Sequence, residues 1–283
     1  MTDESVGGVG RFESPPTRWY VRLDRLVREH RFTIAVVFPL VGAILLVASA
    51  EGFLPAALAF HPLLLVIGVT VMRSPLIIGL GPLYSRRVLL ALVAVAGYTY
   101  LIEYIGIQTG WPYGSFTYGV SLGPMVAGIP IALPILFLPL VVNAYLLWVL
   151  ILGTRQSPLV RIAALVPVVV LMDVILDPAA VALGFWAFDP AGAFYGVPLS
   201  NYLGWVLSAA IALVAVEVAF HVGDLRDRVI ACPYLLDDLV SFVILWGAIN
   251  VWFGQWIPAV VAAVLGIVLG YGLSQREVRE RPS

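Results

Sequence analysis

Long apolar runs separated by short polar segments make up most of the sequence. Eight such runs can be marked, at residues 33–50, 53–72, 88–107, 127–152, 160–183, 201–222, 237–254 and 257–274. A helix needs about 20 predominantly apolar residues to cross the hydrocarbon core of a bilayer. The pattern therefore predicts an all-α integral membrane protein, a bundle of about eight transmembrane helices in a domain at residues 33–274.

The composition agrees with this pattern. Hydrophobic residues make up 61% of the 283 positions and charged residues 12%, whereas soluble domains are about 45–50% apolar and about 25% charged. A net charge of −1 without a sustained basic patch excludes a nucleic-acid-binding protein. The single cysteine, Cys232, cannot form an internal disulfide or a thiolate cluster, and we interpret it as a small apolar residue.

The positions of the basic residues predict the topology. All 16 are arginines, and they lie before the first run, near the ends of the second, fourth and sixth runs, and after the eighth. By the positive-inside rule, both chain termini are then cytoplasmic. Residues 1–32 become an arginine-rich cytoplasmic segment and residues 275–283 a cytoplasmic tail, in a multi-pass protein of the cell membrane.

The N-terminal region carries two further expectations. Residues 1–17 are rich in Gly, Ser, Pro and acidic side chains, so we expect this part to be disordered. The small residues at 48–50, which end the first run, resemble a signal-peptide cleavage site, and cleavage there is an alternative to a retained first helix. The orientation of the rest of the chain is the same in both cases.

The two outer loops are rich in aromatic residues and nearly uncharged. Residues 110–123 and 184–204 contain only one ionisable acid, Asp189. They could form an aromatic belt at the membrane interface or fold back as a lid over a site between the helices. Glu103 precedes Gly110 by the interval at which Asp177 precedes Gly184. This spacing favours a parallel duplicated unit, although chance similarity would also explain it.

Three carboxylates are the strongest candidates for chemistry. An ionisable side chain inside a membrane helix costs several kcal/mol, so Glu103, Asp173 and Asp177 are functional hypotheses by default. All three fall in the predicted outer half of the bundle. Asp173 and Asp177 are four residues apart, which places them on one helical face about 6 Å from each other. Because like charges at that spacing repel in a low dielectric, at least one should stay protonated and could act as a general acid.

The other polar residues in the runs have simpler interpretations. Glu217 is expected to be structural and to reach water or an arginine such as Arg226. The acidic residues at 237 and 238 open the seventh helix, where negative charge favours the helix dipole. Asn143 and Asn250 are interhelical hydrogen-bond donors, with Asn143 the better candidate for a site.

Several chemistries are disfavoured by what the sequence lacks. Three histidines are too few for a membrane di-iron oxygenase, and there is neither a phosphate-binding loop nor a Ser/His/Asp pattern. The spacing of Asp173 and Asp177 also occurs in intramembrane prenyltransferases, whose aspartates hold magnesium. This sequence has no arginines on the outer side and lacks the longer aspartate motif of those enzymes, which disfavours that alternative. A membrane transporter that uses the same carboxylates remains a second alternative.

A chain of linked motifs resembles the membrane carotenoid hydratases, of the type that hydrates bisanhydrobacterioruberin. The resemblance covers about residues 95–210. It rests on the segments at 103–106, 110–118, 122–124, 128–130, 143–144, 173–178 and 195–205, in this order.

The resemblance implies hydration of a terminal C=C bond in an acyclic carotenoid, giving a tertiary alcohol without a cofactor or a metal. The implied enzyme is a hydro-lyase whose substrate arrives from the bilayer, with membrane lipids and other carotenoid biosynthesis enzymes as candidate partners. Protonation of the alkene gives a tertiary carbocation, so the expected catalytic residues are Asp173, Asp177 and Glu103, with the acid and base unassigned. The residues expected to bind substrate or face the cation are Trp111, Tyr113, Tyr118, Asn143, Trp186, Tyr195 and Asn201.

Overall fold

A computed structural model describes residues 18–280, and side chains as far as Arg276. The expectation of disorder at residues 1–17 lies outside this range. The helices are α1 (Arg18–Glu29), α2 (Phe38–Ala50), α3 (Pro62–Gly79), α4 (Arg86–Thr109), α5 (Leu133–Leu152), α6 (Pro158–Ala182), α7 (Leu199–Ala219), α8 (Val222–Ala231), α9 (Asp237–Trp252) and α10 (Trp256–Glu280). A π-helical turn, Thr33–Val37, leads into α2, and a 3₁₀ turn, Gly81–Leu83, precedes α4.

The prediction of an all-α membrane bundle is confirmed. Within the described range, seven helical segments are long and apolar enough to span a membrane. They are Thr33–Ala50, α3, α4, α5, α6, α7 and the Trp256–Arg276 part of α10. The run at 237–254 corresponds to α9, whose 16 residues rise only about 24 Å. All eight apolar runs are therefore represented by helices, and the chain is a multi-pass membrane protein.

Two helices begin later than the apolar runs that predicted them. The run at 53–72 contains a turn-rich segment, and α3 starts only at Pro62, where proline suits the first helical turn. The run at 127–152 likewise opens with a short strand before α5 starts at Leu133. In the N-terminal segment, residues 18–29 form the helix α1, because arginine and apolar residues alternate there with helical periodicity.

Ion pairs join segments that are distant in sequence, and the one between Arg73 and Asp238 is buried. Arg73 of α3 donates to Asp238 of α9 at 2.7 Å, and Arg31 donates to Asp237 at 2.8 Å. Asp237 and Asp238 therefore do more than favour the dipole of α9, since each binds an arginine from another segment. Asn143 of α5 donates to the second oxygen of Asp238.

Glu217 is structural, as expected, but its partner differs from the one suggested. Arg161 of α6 donates to both carboxylate oxygens of Glu217, and the Tyr145 hydroxyl donates to one of them. Arg226 was suggested as the partner of Glu217 because it is near in sequence, but Arg161 of the neighbouring helix binds the carboxylate instead. Asn250 has the packing role proposed for it, because its Nδ2 donates to the Ile175 carbonyl of α6 at 2.8 Å.

The two outer loops are joined by a small antiparallel ribbon. Strand β1 (Phe116–Tyr118) pairs with β4 (Trp186–Phe188), with Thr117 opposite Ala187. A second pair, β2 (Met125–Val126) with β3 (Ile129–Pro130), forms a hairpin in the first loop. Both α4 and α6 are followed by a glycine with φ of +74°, Gly110 and Gly184, so the chain turns back over the bundle in the same way at both places.

Candidate functional site

A cavity of about 440 Å³ lies between the helices below the β1–β4 ribbon. Its walls come from α2 to α7 and from α9, and the ribbon contributes Phe116, Tyr118, Trp186 and Phe188. Most of the lining is aliphatic or aromatic. Among the lining residues, the ionisable acids are Glu103 of α4 and Asp177 of α6, so the cavity combines an apolar body with carboxyl groups at one place.

Asp177 belongs to a buried cluster with Asp173 and Asn201. Asn201 Nδ2 donates to Oδ2 of Asp173 at 3.0 Å and to Oδ2 of Asp177 at 2.5 Å. The two carboxyl groups are also within hydrogen-bonding reach of each other. Because carboxylates are acceptors only, a hydrogen bond between two carboxyl groups needs a proton on one of them. The cluster can therefore hold a proton that is available for transfer.

Asp173 and Asp177 occupy the same face of α6 but different depths. Asp177 lines the cavity, whereas Asp173 is completely buried behind it and is not part of the lining. Oδ1 of Asp173 has no hydrogen-bond partner within the described residues. The four-residue spacing predicted a shared face; the difference in depth follows from packing against α7, which the spacing does not reveal.

Glu103 lies close to this cluster and has a different partner. The Tyr118 hydroxyl, on β1, donates to Glu103 Oε1. Burial, followed by the charge of the Glu103 carboxylate, raises the pKa of the Tyr118 hydroxyl above its ordinary value. Tyr118 therefore remains a hydrogen-bond donor at any physiological pH. Glu103 and Asp177 are near enough for their charges to interact, so two carboxyl groups with different partners face one space.

Aromatic side chains form much of the wall around the carboxyl groups. Of the residues named from the sequence, Tyr113, Tyr118 and Trp186 line the cavity, as does Asn201. The Tyr113 hydroxyl is 2.6 Å from Ser208 Oγ, which is 2.9 Å from the Tyr98 hydroxyl. This chain of hydroxyl groups fixes the Tyr113 ring at the cavity wall.

Several aromatic residues of the wall were not predicted from the sequence. They are Phe38, Phe60, Phe116, Phe137, Phe185, Phe188, Trp205 and Trp246. Trp205, whose ring stacks on Phe137 with centroids 5.2 Å apart, could have been found, because it follows Asn201 by four residues and so shares its helical face. Trp246 lies on α9, far from the linked motifs, and no sequence signal indicated it.

Three residues named as candidates lie apart from both the cavity and the carboxyl cluster. Trp111 is 56% exposed. Asn143 is buried in the ion-pair cluster of Arg73 and Asp238. The Tyr195 hydroxyl accepts from the backbone N–H of Ile257 in α10 at 3.5 Å. The structure thus brings seven of the ten candidates together and leaves these three elsewhere.

The cavity reaches the lipid-facing surface between α2 and α3. Four apolar residues that line it are also about half exposed: Val41 (48%) and Leu45 (47%) on α2, and Leu64 (53%) and Ile67 (48%) on α3. An apolar molecule dissolved in the bilayer would meet apolar side chains along this whole route. Among all the residues that the structure describes, no three or more His, Cys, Asp or Glu side chains are grouped so that they could hold a metal ion.

Comparisons with known proteins agree with this description. No solved structure matches the chain. The bisanhydrobacterioruberin hydratase of Haloarcula japonica is 54% identical over 247 residues, which is 87% of this chain and 84% of that protein. Residues 60–269, which include α3 to α9, the ribbon and every residue of the carboxyl cluster, match the family described as carotenoid biosynthesis protein. The chain belongs to the carotenoid biosynthesis protein family.

Proposed function

We propose that this protein is a carotenoid hydratase, which adds water across a terminal C=C bond of an acyclic carotenoid and gives a tertiary alcohol. The substrate is of the bisanhydrobacterioruberin type, after the relative of that name. The observation that carries the proposal is the apolar cavity, open towards lipid, into which Glu103 and Asp177 project. A polyene needs such a cavity, and hydration of an unactivated alkene needs such acids.

Asp177 is the proton donor in this proposal. It faces the cavity, and a proton shared with the neighbouring Asp173 would relieve the repulsion between two buried carboxyl groups that accept from the same Asn201 amide. Transfer of that proton to the less substituted alkene carbon forms the new C–H bond and leaves a tertiary carbocation. Asp173 lies behind Asp177 and does not touch the substrate, whereas Asn201 lines the cavity beside them. Asp173 and Asn201 hold the Asp177 carboxyl group in place and, once the proton has left, distribute the negative charge over two carboxyl groups and an amide donor.

Glu103 is the base that activates water. Its Oε1 accepts a hydrogen bond from Tyr118, and such a donor favours the ionised form that a base requires. A water molecule bound to its other oxygen would attack the cation as Glu103 takes the proton, which forms the C–O bond of the tertiary alcohol. The proton must then return from Glu103 to Asp177 before the next reaction. Because the two groups are near each other, this proton transfer covers only a short distance.

The aromatic wall stabilises the intermediate cation. Tyr113, Tyr118 and Trp186 surround the carboxyl groups, and each cation–π contact can contribute about 0.5–2 kcal/mol. The low dielectric of the cavity strengthens these contacts and the attraction of the carboxylates. The same apolar wall holds back bulk water, so that the water on Glu103 is the one available nucleophile.

The site should lie near the outer membrane face, with both termini in the cytoplasm. The arginines of the described chain fall at one end of the bundle, whereas Glu103 and Asp177 lie near the other ends of α4 and α6. Positive charge is retained on the cytoplasmic side. The substrate would therefore enter sideways from lipid, between α2 and α3, and product could pass to other carotenoid biosynthesis enzymes through the bilayer.

Reconstitution with labelled water tests the proposed reaction. The purified protein in liposomes receives bisanhydrobacterioruberin in H₂¹⁸O with a metal chelator and no nucleotide. The expected product gains the mass of one water per hydrated end and carries ¹⁸O in a tertiary hydroxyl. Oxygen that comes from O₂, or conversion that requires magnesium and a diphosphate, would refute the proposal. An unchanged carotenoid profile in a strain that lacks the gene would refute it as well.

A further inference from the structure

Helix α1 is fixed to the bundle by one face only. Tyr20 donates through its hydroxyl to the Ile78 carbonyl at the end of α3, at 3.1 Å. Asp24 accepts from the Tyr234 hydroxyl at 2.5 Å, and Val27 is 3% exposed. These positions are separated by four and three residues and so form one stripe of the helix. The helix lies at the end of α3 where the arginines collect, on the outside of the bundle.

The rest of α1 presents two further stripes. Trp19, Leu23 and Leu26 have the same helical spacing and are 62%, 38% and 51% exposed. Next to them, Arg18, Arg22 and Arg25 form an exposed basic stripe. An apolar stripe with tryptophan beside a row of arginines is typical of a helix that lies in the plane of a membrane interface.

The position of α1 brings it to the depth of the lipid headgroups. Only three residues separate it from the membrane-spanning segment Thr33–Ala50, and Arg31, within that short link, is paired with Asp237 at the start of α9. The helix also has more positive than negative charge, with four arginines against Asp24 and Glu29. Asp24 is already engaged by Tyr234 and Arg28, so the excess positive charge faces outwards.

We infer that α1 is a binding surface for anionic phospholipids. Trp19, Leu23 and Leu26 lie at the boundary between headgroups and acyl chains, while Arg18, Arg22 and Arg25 contact the phosphate groups. This binding does not depend on the proposed hydratase activity. It would hold α1 against the membrane at the end of the bundle opposite the carboxyl cluster.

Quenching by spin-labelled lipids tests the inference on the full chain. A fluorophore is attached at Leu23→Cys in a Cys232→Ala background, and the protein is placed in nanodiscs of neutral lipid. Either doxyl-phosphatidylglycerol or doxyl-phosphatidylcholine is then added at the same fraction. We expect quenching by both lipids and at least about fivefold enrichment of the anionic one. The preference should weaken in high salt, because the headgroup contacts are exposed to solvent.

Two control proteins make the result specific. Ile267→Cys lies on the lipid-facing side of α10, 72% exposed, and should be quenched equally by both lipids. Adding Arg18→Gln, Arg22→Gln and Arg25→Gln to the Leu23→Cys protein should remove the preference for phosphatidylglycerol and keep the quenching by phosphatidylcholine. Equal quenching at position 23 without these substitutions would overturn the anionic assignment. A label quenched by aqueous iodide and by neither lipid would overturn the membrane location itself.

Discussion

Glu103 and Asp177 face one cavity with different hydrogen-bond partners, and this difference can be tested by isosteric substitution. Asp177→Asn removes the proposed acid and Glu103→Gln the proposed base, while both keep the shape of the side chain. General acid–base catalysis contributes about 10²–10⁴-fold to a rate, so each variant should lose at least about a hundredfold in hydration rate. Conversion of carotenoid by equal amounts of folded protein in liposomes measures this loss.

Asp189→Asn is the matched control, because Asp189 is an exposed acid of the second outer loop. This variant should keep the activity of the unsubstituted protein. If Glu103→Gln and Asp177→Asn also kept near-normal rates, the acid–base assignment would have to be abandoned. Asp173→Asn should reduce the rate as well, through the position of Asp177 rather than through contact with substrate.

The Tyr118 hydroxyl should be a positioning group for Glu103. Tyr118→Phe keeps the ring against Trp186 and removes the donor to the carboxylate. Hydrogen bonds to charged groups are worth about 1.5–3 kcal/mol, so we expect a fall in kcat of about 10- to 100-fold with little change in KM. A loss confined to KM would mean that Tyr118 binds the carotenoid and does not orient the base.

At this scale, the amino-acid sequence predicted the reactive residue types but not their partners. The cost of burying charge in a membrane is enough to single out Glu103, Asp173 and Asp177 from the apolar runs. Their assignment to roles depends on Tyr118 and Asn201, and these contacts arise from tertiary packing. Asn143 was also a candidate because it is a polar residue in an apolar helix, but it lies outside the site. Its partner is Asp238, which lies nearly a hundred positions later in the chain.

At the scale of elements, the buried pair of Arg73 and Asp238 should hold α3 against α9. Asp238→Ala leaves the Arg73 charge buried without its carboxylate, and breaking such a pair costs about 3–5 kcal/mol. We expect a clear fall in the thermal midpoint of the detergent-solubilised protein, followed by tryptophan fluorescence. The double variant Arg73→Met with Asp238→Leu should be more stable than Asp238→Ala, because it buries no unpaired charge. Equal thermal midpoints for the unsubstituted protein, Asp238→Ala and the double variant would contradict this role.

The contact between α7 and the first outer loop makes a second prediction at this scale. A Cβ atom on Gly204 of α7 would lie 2.5 Å from Cδ1 of Tyr113, a residue of the cavity wall. Gly204→Ala should therefore displace Tyr113 and cost about 1–3 kcal/mol by overpacking, with loss of hydration activity. Gly97→Ala is the control, since nothing lies within 4 Å of the added atom. Equal activity of the two variants would show that the position of Tyr113 is unimportant.

The helices were largely predictable, whereas the ribbon was not. Hydrophobic length alone located the eight apolar helices, because lipid imposes the same requirement on each. The pairing of β1 with β4 joins residues about 70 positions apart, and strands of three residues are too short to leave a periodic pattern. The equal spacing from Glu103 to Gly110 and from Asp177 to Gly184 indicated the two similar glycine turns. It did not show that the two strands that follow these turns would pair with each other.

At the scale of the whole molecule, the orientation in the membrane follows from the arginine distribution and can be measured directly. If both termini are cytoplasmic, a cysteine at Asp189, in the second outer loop, faces the outside, and one at Arg155, between α5 and α6, faces the cytoplasm. Positive charge near the ends of membrane helices is retained inside. In a Cys232→Ala background, a membrane-impermeant maleimide should therefore label Asp189→Cys in intact cells and Arg155→Cys only after lysis.

This labelling pattern also decides whether α9 crosses the bilayer. The 16 residues of α9 are short for a full span, and two acidic residues begin it. If α9 did not cross, cysteines at Arg155 and Arg226 would still be inaccessible from outside. A cysteine at Gln275, near the end of α10, would then become accessible. We expect no labelling at Gln275→Cys in intact cells, because the ion pairs of Asp237 and Asp238 hold α9 within the bundle. Labelling of Gln275→Cys from outside would place the two termini on opposite faces and leave seven spans.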